Sequence, residues 1–378
     1  MVKGRTLQKI LKIVFVLLLL YLFLISIKLI GTSFKLFSGD FVEQLISSYS
    51  NPFLGLFTGI LATSLVQSSS TVTSLIVGLA GSGVLPIEYA IPIVMGANMG
   101  TTITNILVSL TFITRKEDFR RAFAAATVHD FFNIFTIIVF FPLEINFHII
   151  QKTALFLTGV FKGIGGVTFT SPFKLAIDPV VNGFKHLLMD TLSVSDTTAG
   201  IIMLVIAVIL VIFSLVYLVK TMRVLVAQQA ESSIDKFLFK NTFTALMLGL
   251  ALTAVVQSSS VTTSLIVPLV AAGLVSLNRA YPYTLGANIG TTITAILASL
   301  ATVGTVNGQE VNTIGVTVAF AHLTFNIYGM IIFLPLKRLP IYCATKLANI
   351  SADSKKWAFI FIILLFFVIP LLIILLLR

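Results

Sequence analysis

The chain has 378 residues, of which 57% are apolar and 10% charged, with a mean hydropathy of +1.06. Soluble domains run nearer a quarter charged, so these side chains cannot cover a globular surface, and a soluble enzyme is excluded. The net charge of +11 does not mark a nucleic-acid binder, because the basic residues are scattered between long apolar runs, and Cys343 has no partner for a disulfide. The composition is that of an integral membrane protein with the lipid bilayer as its solvent.

A helix of about 20 mostly apolar residues crosses roughly 30 Å of hydrocarbon. In chain order, residues 13–30, 91–113, 122–141, 201–219, 311–336 and 357–377 have that length and character. The first follows Lys3, Arg5, Lys9 and Lys12, as a signal peptide would, but it is long and no cleavage pattern follows. It is read as a retained helix. Residues 53–85 and 243–275 differ from the rest, since each apolar stretch is broken in the middle by Gln-Ser-Ser-Ser. A polar break at membrane depth is tolerated only where it is buried in protein or lines a wet cavity. Each stretch is therefore expected to form a re-entrant helical hairpin with the break at its tip. The last span runs to the chain end, so no appended soluble domain is expected.

The chain contains itself twice. Val66-Gln67-Ser68-Ser69-Ser70 recurs as Val256-Gln257-Ser258-Ser259-Ser260, and Thr73-Ser74-Leu75-Ile76-Val77 as Thr263-Ser264-Leu265-Ile266-Val267. Gly96-Ala97-Asn98-Met99-Gly100-Thr101-Thr102-Ile103-Thr104 recurs as Gly286-Ala287-Asn288-Ile289-Gly290-Thr291-Thr292-Ile293-Thr294. All lie at an offset of 190, and residues 64–110 share 26 identities in 47 positions with 254–300. The match resumes at an offset of 193, pairing Asn133 with Asn326 and Pro142 with Pro335, the difference being absorbed near 304–312. The first span also has a counterpart at 201–219. This is duplication.

Charge indicates how the copies are oriented, because cytoplasmic loops carry the excess Lys and Arg. The loop at 115–121 holds Arg115, Lys116, Arg120 and Arg121, whereas its counterpart near 302–312 holds only Glu310. Pro142-Leu143-Glu144 likewise faces Pro335-Leu336-Lys337-Arg338. Equivalent loops of opposite character are expected of copies inserted upside down relative to each other. With the N-terminus inside, the basic stretches 220–240 and 337–356 fall in the cytoplasm and the C-terminus outside. The expected fold is an all-α integral membrane protein of two inverted-topology repeats. Each holds a spanning helix, a re-entrant hairpin and two further spans, and a C-terminal helix follows. The boundaries are 1–142 (hairpin 52–85), an outer segment at 143–198, a second repeat at 199–336 (hairpin 242–275), and a loop and final helix at 337–378. Inverted repeats with broken polar helices in matching positions point to a secondary transporter.

The broken motifs offer hydroxyls, amides and glycine backbone, with no Lys, Arg or carboxylate among them. Hydroxyls donate to an anion or turn lone pairs to a cation, and amide carbonyls can ligate Na⁺. A helix starting after each break points free N–H groups and partial positive charge at the tip. Such a site suits a small tetrahedral oxyanion, but only if a hard cation arrives with it to supply charge, and neutral oxygens favour Na⁺ over H⁺. Ionisable residues inside spans are functional candidates, and Asp130 is the main one, with Leu323 as its repeat equivalent. His129 and His322 lie near corresponding places. The structural alternatives stay open: hydroxyl pairs can bind helices together, Asp130 can serve a structural hydrogen bond, and the histidines can be packing residues. Asn133 and Asn326 are balanced between satisfying backbone and lining a site, and the run at 115–121 reads as a topology signal.

These motifs carry a resemblance. The paired Gln-Ser-Ser-Ser and Gly-Ala-Asn-x-Gly-Thr-Thr segments, with Phe119-Arg120-Arg121-Ala122-Phe123-Ala124 running into Thr127-Val128-His129-Asp130-Phe131-Phe132-Asn133, resemble the type II sodium–phosphate cotransporter family over roughly 51–142 and 242–335. The resemblance implies a sodium-coupled symporter for inorganic phosphate, working by alternating access in the cell membrane, with Na⁺ as coupling ion and no other cofactor. It implies phosphate binding by Ser68, Ser69, Ser70, Asn98, Thr101, Thr102, Ser258, Ser259, Ser260, Asn288, Thr291 and Thr292. Sodium would be held by Gln67, Gln257, Ser258, Thr291, Asp130 and Asn133. Ala124, Ala126 and Asp130 match the pattern of electrogenic members, which implies an additional Na⁺ at Asp130. The segment 144–198 has no cysteine, unlike the disulfide-linked outer loop of animal members, and this implies a bacterial-type protein. A carrier for sulfate or a carboxylate, or a passive anion channel, remain the alternatives. Catalysis is not expected, since no nucleophile is paired with an oriented base.

Overall fold

The computed structural model describes residues 2–34, 36, 51–164, 172–238, 241–302 and 313–377, and among these the regular structure is entirely helical. The first half holds α1 (Val2–Phe34), α2 (Pro52–Val66), α3 (Ser69–Gly81), α4 (Ile87–Gly100), α5 (Ile103–Leu110) and α6 (Lys116–Phe147). Two connecting helices follow, α7 (Ile149–Ile164) and α8 (Pro172–His186). The second half holds α9 (Asp196–Leu238), α10 (Thr242–Val256), α11 (Ser259–Ala271), α12 (Leu277–Leu300) and α13 (Ile314–Phe333). It is completed by α14 (Arg338–Asp353) and α15 (Lys356–Leu377), the latter with a π-helical turn at Leu364–Val368.

Six helices among the described residues are long and apolar enough to cross a membrane: Leu11–Phe34, Ile87–Leu110, Lys116–Phe147, Asp196–Leu218, Ile314–Phe333 and Lys356–Leu377. They coincide with the six expected spans. The broken stretches form helix–turn–helix pairs, α2–α3 and α10–α11, of 15 and 13 residues each. At 1.5 Å per residue such helices are roughly 20 Å long, short of the hydrocarbon thickness. Local chemistry sets both starts. The Asn51 side chain accepts from Phe53 N, with Pro52 in the first turn, and Asn241 forms a capping box with Thr244.

Glycine lets each pair reach its neighbour. A Cβ on Gly96 of α4 would overlap the Leu56 carbonyl of α2, and one on Gly286 of α12 would overlap the Leu246 carbonyl of α10. Backbone therefore packs on backbone at two places 190 residues apart. One buried apolar cluster gathers Phe119, Phe123, Tyr283 and Phe325, and a second gathers Phe23, Ile27, Val211 and Leu215 where α1 lies along α9. Lys28 and Asp178 join α1 to α8 across 3.4 Å.

The structure departs from the sequence expectation in two places. The stretch 338–353, expected to be a loop, is helix α14 packed against α6, with Lys116 Nζ 2.7 Å from Asp353. The other is α9, which does not stop after its span but runs on to Leu238. Between the halves, α7 lies on α13 through Thr153–Tyr328 (2.7 Å) and Thr158–Thr317 (3.1 Å) hydroxyl pairs. The loop expected to absorb the offset change near 304–312, with Glu310, lies outside the described residues.

Candidate functional site

The two breaks have the same local structure. Gln67 and Gln257 end their helices in the left-handed conformation, with φ of 56° and 61°, and each donates its backbone N–H to Thr63 O or Thr253 O. That conformation is uncommon for a residue with a Cβ. The chain then enters the next helix through an extended serine: Ser68 Oγ accepts from Thr71 N (3.2 Å), and Ser258 Oγ from Val261 N (3.3 Å). Serine is a favoured N-cap because its hydroxyl satisfies one of the orphan amides of the first turn. The remaining amides of each first turn lack helical acceptors, and the helix dipole places partial positive charge there.

The two tips meet. Ser70 Oγ donates to Gln257 O across 3.3 Å, and a pocket of about 230 Å³ is lined by Gln67, Ser68, Ser70, Thr71, Gln257 and Ser258 together with Leu215, Val216 and Lys220 of α9. The two glutamines are not equivalent. Gln67 is exposed, whereas Gln257 is buried, its Oε1 accepting from Thr294 Oγ1 (2.8 Å) and its Nε2 donating to Ala254 O. Ser69 and Ser259 are buried behind the tips, where their carbonyls accept from Thr73 (2.8 Å) and Thr263 (2.6 Å), and Ser260 is half-buried.

A second set of predicted residues gathers elsewhere. Asn98 Nδ2 donates to the Oδ1 atoms of Asn133 and Asn326, both at 3.1 Å, and Asn288 Nδ2 donates to the same two atoms at 3.3 and 2.7 Å. His322 Nε2 donates to Asn98 Oδ1 (3.1 Å). All four asparagines are at most 1% exposed. Four helices, two from each half, thus share one buried amide network. Such networks specify a unique packing when satisfied, because an unpaired amide in a low dielectric is costly.

Asp130 belongs to a third group. It is fully buried on α6, and its Oδ1 accepts from Thr102 Oγ1, while Oδ2 meets no donor among the described residues. Thr102 lies where the chain breaks between α4 and α5; its hydroxyl also contacts Met99 O (2.9 Å). In the second half the matching helix α12 runs unbroken through Thr291 and Thr292, and Leu323 stands where the acid would be. The hydroxyls of Thr101, Thr291 and Thr292 donate to carbonyls of their own helices.

The structure thus brings Gln67, Ser68, Ser70, Gln257 and Ser258 to one pocket, Asn98, Asn133 and Asn288 to one network, and Thr102 and Asp130 to one pair. Sequence reasoning passed over Lys220 and Thr71 of the pocket, Thr294 behind it, and Asn105, which accepts from Thr263 Oγ1 (2.8 Å). Thr71 was legible as the capping partner three residues after Ser68, which starts that helix. Asn105 had no signal, since its repeat counterpart is Ala295.

The family model described as Na⁺/Pi-cotransporter matches residues 22–168 and 210–369. The chain belongs to that family. Among its relatives, sodium-dependent phosphate transport protein 2B of Pongo abelii and of Homo sapiens are each 32% identical over 98% of the chain, and protein 2A of Rattus norvegicus is 34% identical over 96%. The chain spans 66% of the length of the 2B proteins, just under two thirds, and 67% of the rat 2A protein. No solved structure matches it significantly. Both matched segments of the family model contain a hairpin tip, and Asp130, Lys220 and all four network asparagines fall within them.

Proposed function

We propose that the chain is a sodium-coupled symporter that imports inorganic phosphate by alternating access across the cell membrane. The observation that carries this reading is the convergence of two like-built tips on one pocket, in a chain whose relatives are named sodium-dependent phosphate transport proteins. Ser68, Ser70 and Ser258 present hydroxyls, and the first turns of α3 and α11 present amides and positive dipole ends, all suited to a tetrahedral oxyanion. Ser69, Ser259 and Ser260 lie close behind. Neutral donors alone offset little of the anion's lost hydration, so Na⁺ bound by Gln67, Gln257, Ser258 and Thr291 makes phosphate binding favourable. Phosphate must strengthen Na⁺ binding by the same factor, because coupling is reciprocal.

Two inverted repeats, 1–142 and 199–336, separated by 143–198 and followed by 337–378, are the architecture proposed. The equal backbone geometry at Gln67 and Gln257 and the opposite charge of equivalent loops support it. In this arrangement each hairpin returns to the side it entered from, the N-terminus is cytoplasmic, and rocking of one half against the other exposes the tips alternately. The amide network of Asn98, Asn133, Asn288 and Asn326 is the contact on which the halves turn. Asp130, with one carboxylate oxygen free and Thr102 and Asn133 nearby in sequence or contact, takes an additional Na⁺ and makes the cycle electrogenic. Each net charge moved inward is worth about 2.3 kcal/mol per 100 mV.

The test is uptake of labelled phosphate into proteoliposomes. An inward Na⁺ gradient is expected to drive accumulation, enhanced by an inside-negative potential and uncompeted by sulfate or carboxylates. Uptake indifferent to the Na⁺ gradient refutes the reading.

A further inference from the structure

We propose that Lys220 is the fixed cation of the hairpin-tip pocket and contacts the transported oxyanion there. The inference rests on the reading of this pocket as the phosphate site and names a residue that the tip motifs do not contain.

In the sequence, Lys220 stands just past an apolar span and counts as the start of a cytoplasmic stretch. The helix does not end there. It runs on to Leu238, roughly 27 Å beyond Lys220 at 1.5 Å per residue. The next helix, α10, starts at Thr242, packs against α9, and takes 15 residues, roughly 22 Å, to reach the tip at Gln257. Because Lys220 lines the same pocket as Gln257 and Ser258, it stands at the depth of the tips, about 20 Å from the level where α9 and α10 are joined. Lys220 therefore stands beside the tips, two residues past the span Asp196–Leu218.

A lysine that borders an apolar span and lines a polar pocket is a candidate for binding an anion there. No carboxylate among the described residues pairs with Lys220; the ion pairs there involve Lys28, Arg115, Lys116, Arg120, Arg121 and His186. Its ammonium rests 5.2 Å from the centroid of the Tyr217 ring. Such a contact is worth about 0.5–1 kcal/mol where it is exposed, enough to hold the side chain in place and weak enough to be given up. Every other polar group at the pocket is neutral, and two helix N-termini add partial positive charge. The lining is thus positive on balance, and Lys220 adds a fixed charge to that brought by Na⁺. A tetrahedral oxyanion held by Ser68, Ser70 and Ser258 meets the ammonium on its α9 side.

The experiment compares wild type, Lys220→Gln and Lys220→Arg in proteoliposomes and in detergent. In Na⁺-driven uptake, Lys220→Gln is expected to raise the phosphate concentration for half-maximal rate at least tenfold. The Na⁺ concentration for half-maximal rate, measured at saturating phosphate, stays within threefold of wild type, and Lys220→Arg restores phosphate half-saturation to within threefold. In detergent with saturating Na⁺, one fixed concentration of inorganic phosphate raises the melting temperature of wild type and of Lys220→Arg more than that of Lys220→Gln. A phosphate half-saturation in Lys220→Gln equal to wild type overturns the inference, as does an equal phosphate-induced thermal shift. Absence of Na⁺-dependent uptake in wild type refutes the symporter reading instead, and the thermal-shift comparison still decides the role of Lys220.

Discussion

The backbone contact between α2 and α4 makes a prediction that can be worked from distances. Replacing Gly96 with alanine places a Cβ in the Leu56 carbonyl: 2.9 Å from its carbon, 3.0 Å from Ile60 N, and overlapping its oxygen. Ordinary contact begins at 3.4 Å. Every atom met is backbone, so no side chain can turn away, and the helices must part. Overpacking of this kind costs about 1–3 kcal/mol, and a backbone obstacle belongs at the upper end. At about 2–4 °C per kcal/mol, Gly96→Ala is expected to lower the melting temperature of the detergent-solubilised protein by about 6–12 °C. Because α2 carries Gln67 at its far end, the same displacement moves the tip, and phosphate uptake falls more steeply than the amount of folded protein. Gly159 of α7 is the control, since nothing lies within 4 Å of its Cβ position. There alanine relieves the cost of a helical glycine, about 0.5–1 kcal/mol, and melting is unchanged or higher. Equal melting temperatures for Gly96→Ala and Gly159→Ala would refute the close approach of α2 and α4.

Two further outcomes are expected. Asp130→Gly keeps phosphate uptake but removes its dependence on membrane voltage, read as phosphate-evoked current on solid-supported membranes; an unchanged current contradicts the sodium role given to Asp130. Asn98→Ala strands His322 Nε2 and takes one of two donors from Asn133 and Asn326, which keep Asn288; a stranded buried group costs about 1–3 kcal/mol, so thermal stability falls beyond that of an exposed substitution. Stability like wild type in that variant contradicts a satisfied network.

Much of the architecture was legible beforehand, for identifiable reasons. A spanning helix needs some twenty apolar residues, and that requirement writes itself into the chain, so all six spans could be found without coordinates. The hairpins were legible because hydrocarbon does not tolerate Gln-Ser-Ser-Ser unless protein or water receives it, and the duplication repeated that signal at one offset. Short amphipathic helices carry no such obligation. Residues 338–353, mixed in polarity, read as loop and fold as a helix lying on α6.

The candidate site was legible in its parts and not in its assembly. The tip serines, the asparagines and Asp130 all stood out as polar groups in apolar surroundings, yet as one undivided set. Their partition into a pocket, an amide network and a carboxylate–hydroxyl pair depends on which helices cross, and contacts such as Asn98–Asn326, 228 residues apart, have no local signature. The place of Lys220 at the pocket had no local signature for the same reason. Hydropathy counts a lysine at the end of an apolar run as a loop residue, and cannot tell that the helix continues or which face it turns to a neighbour. The sequence by itself determined that this chain is a duplicated membrane protein with two polar breaks, because lipid enforces those constraints residue by residue. Only the tertiary structure decided that the breaks meet, and that a lysine meets them, because the depth and facing of a side chain are properties of packed helices.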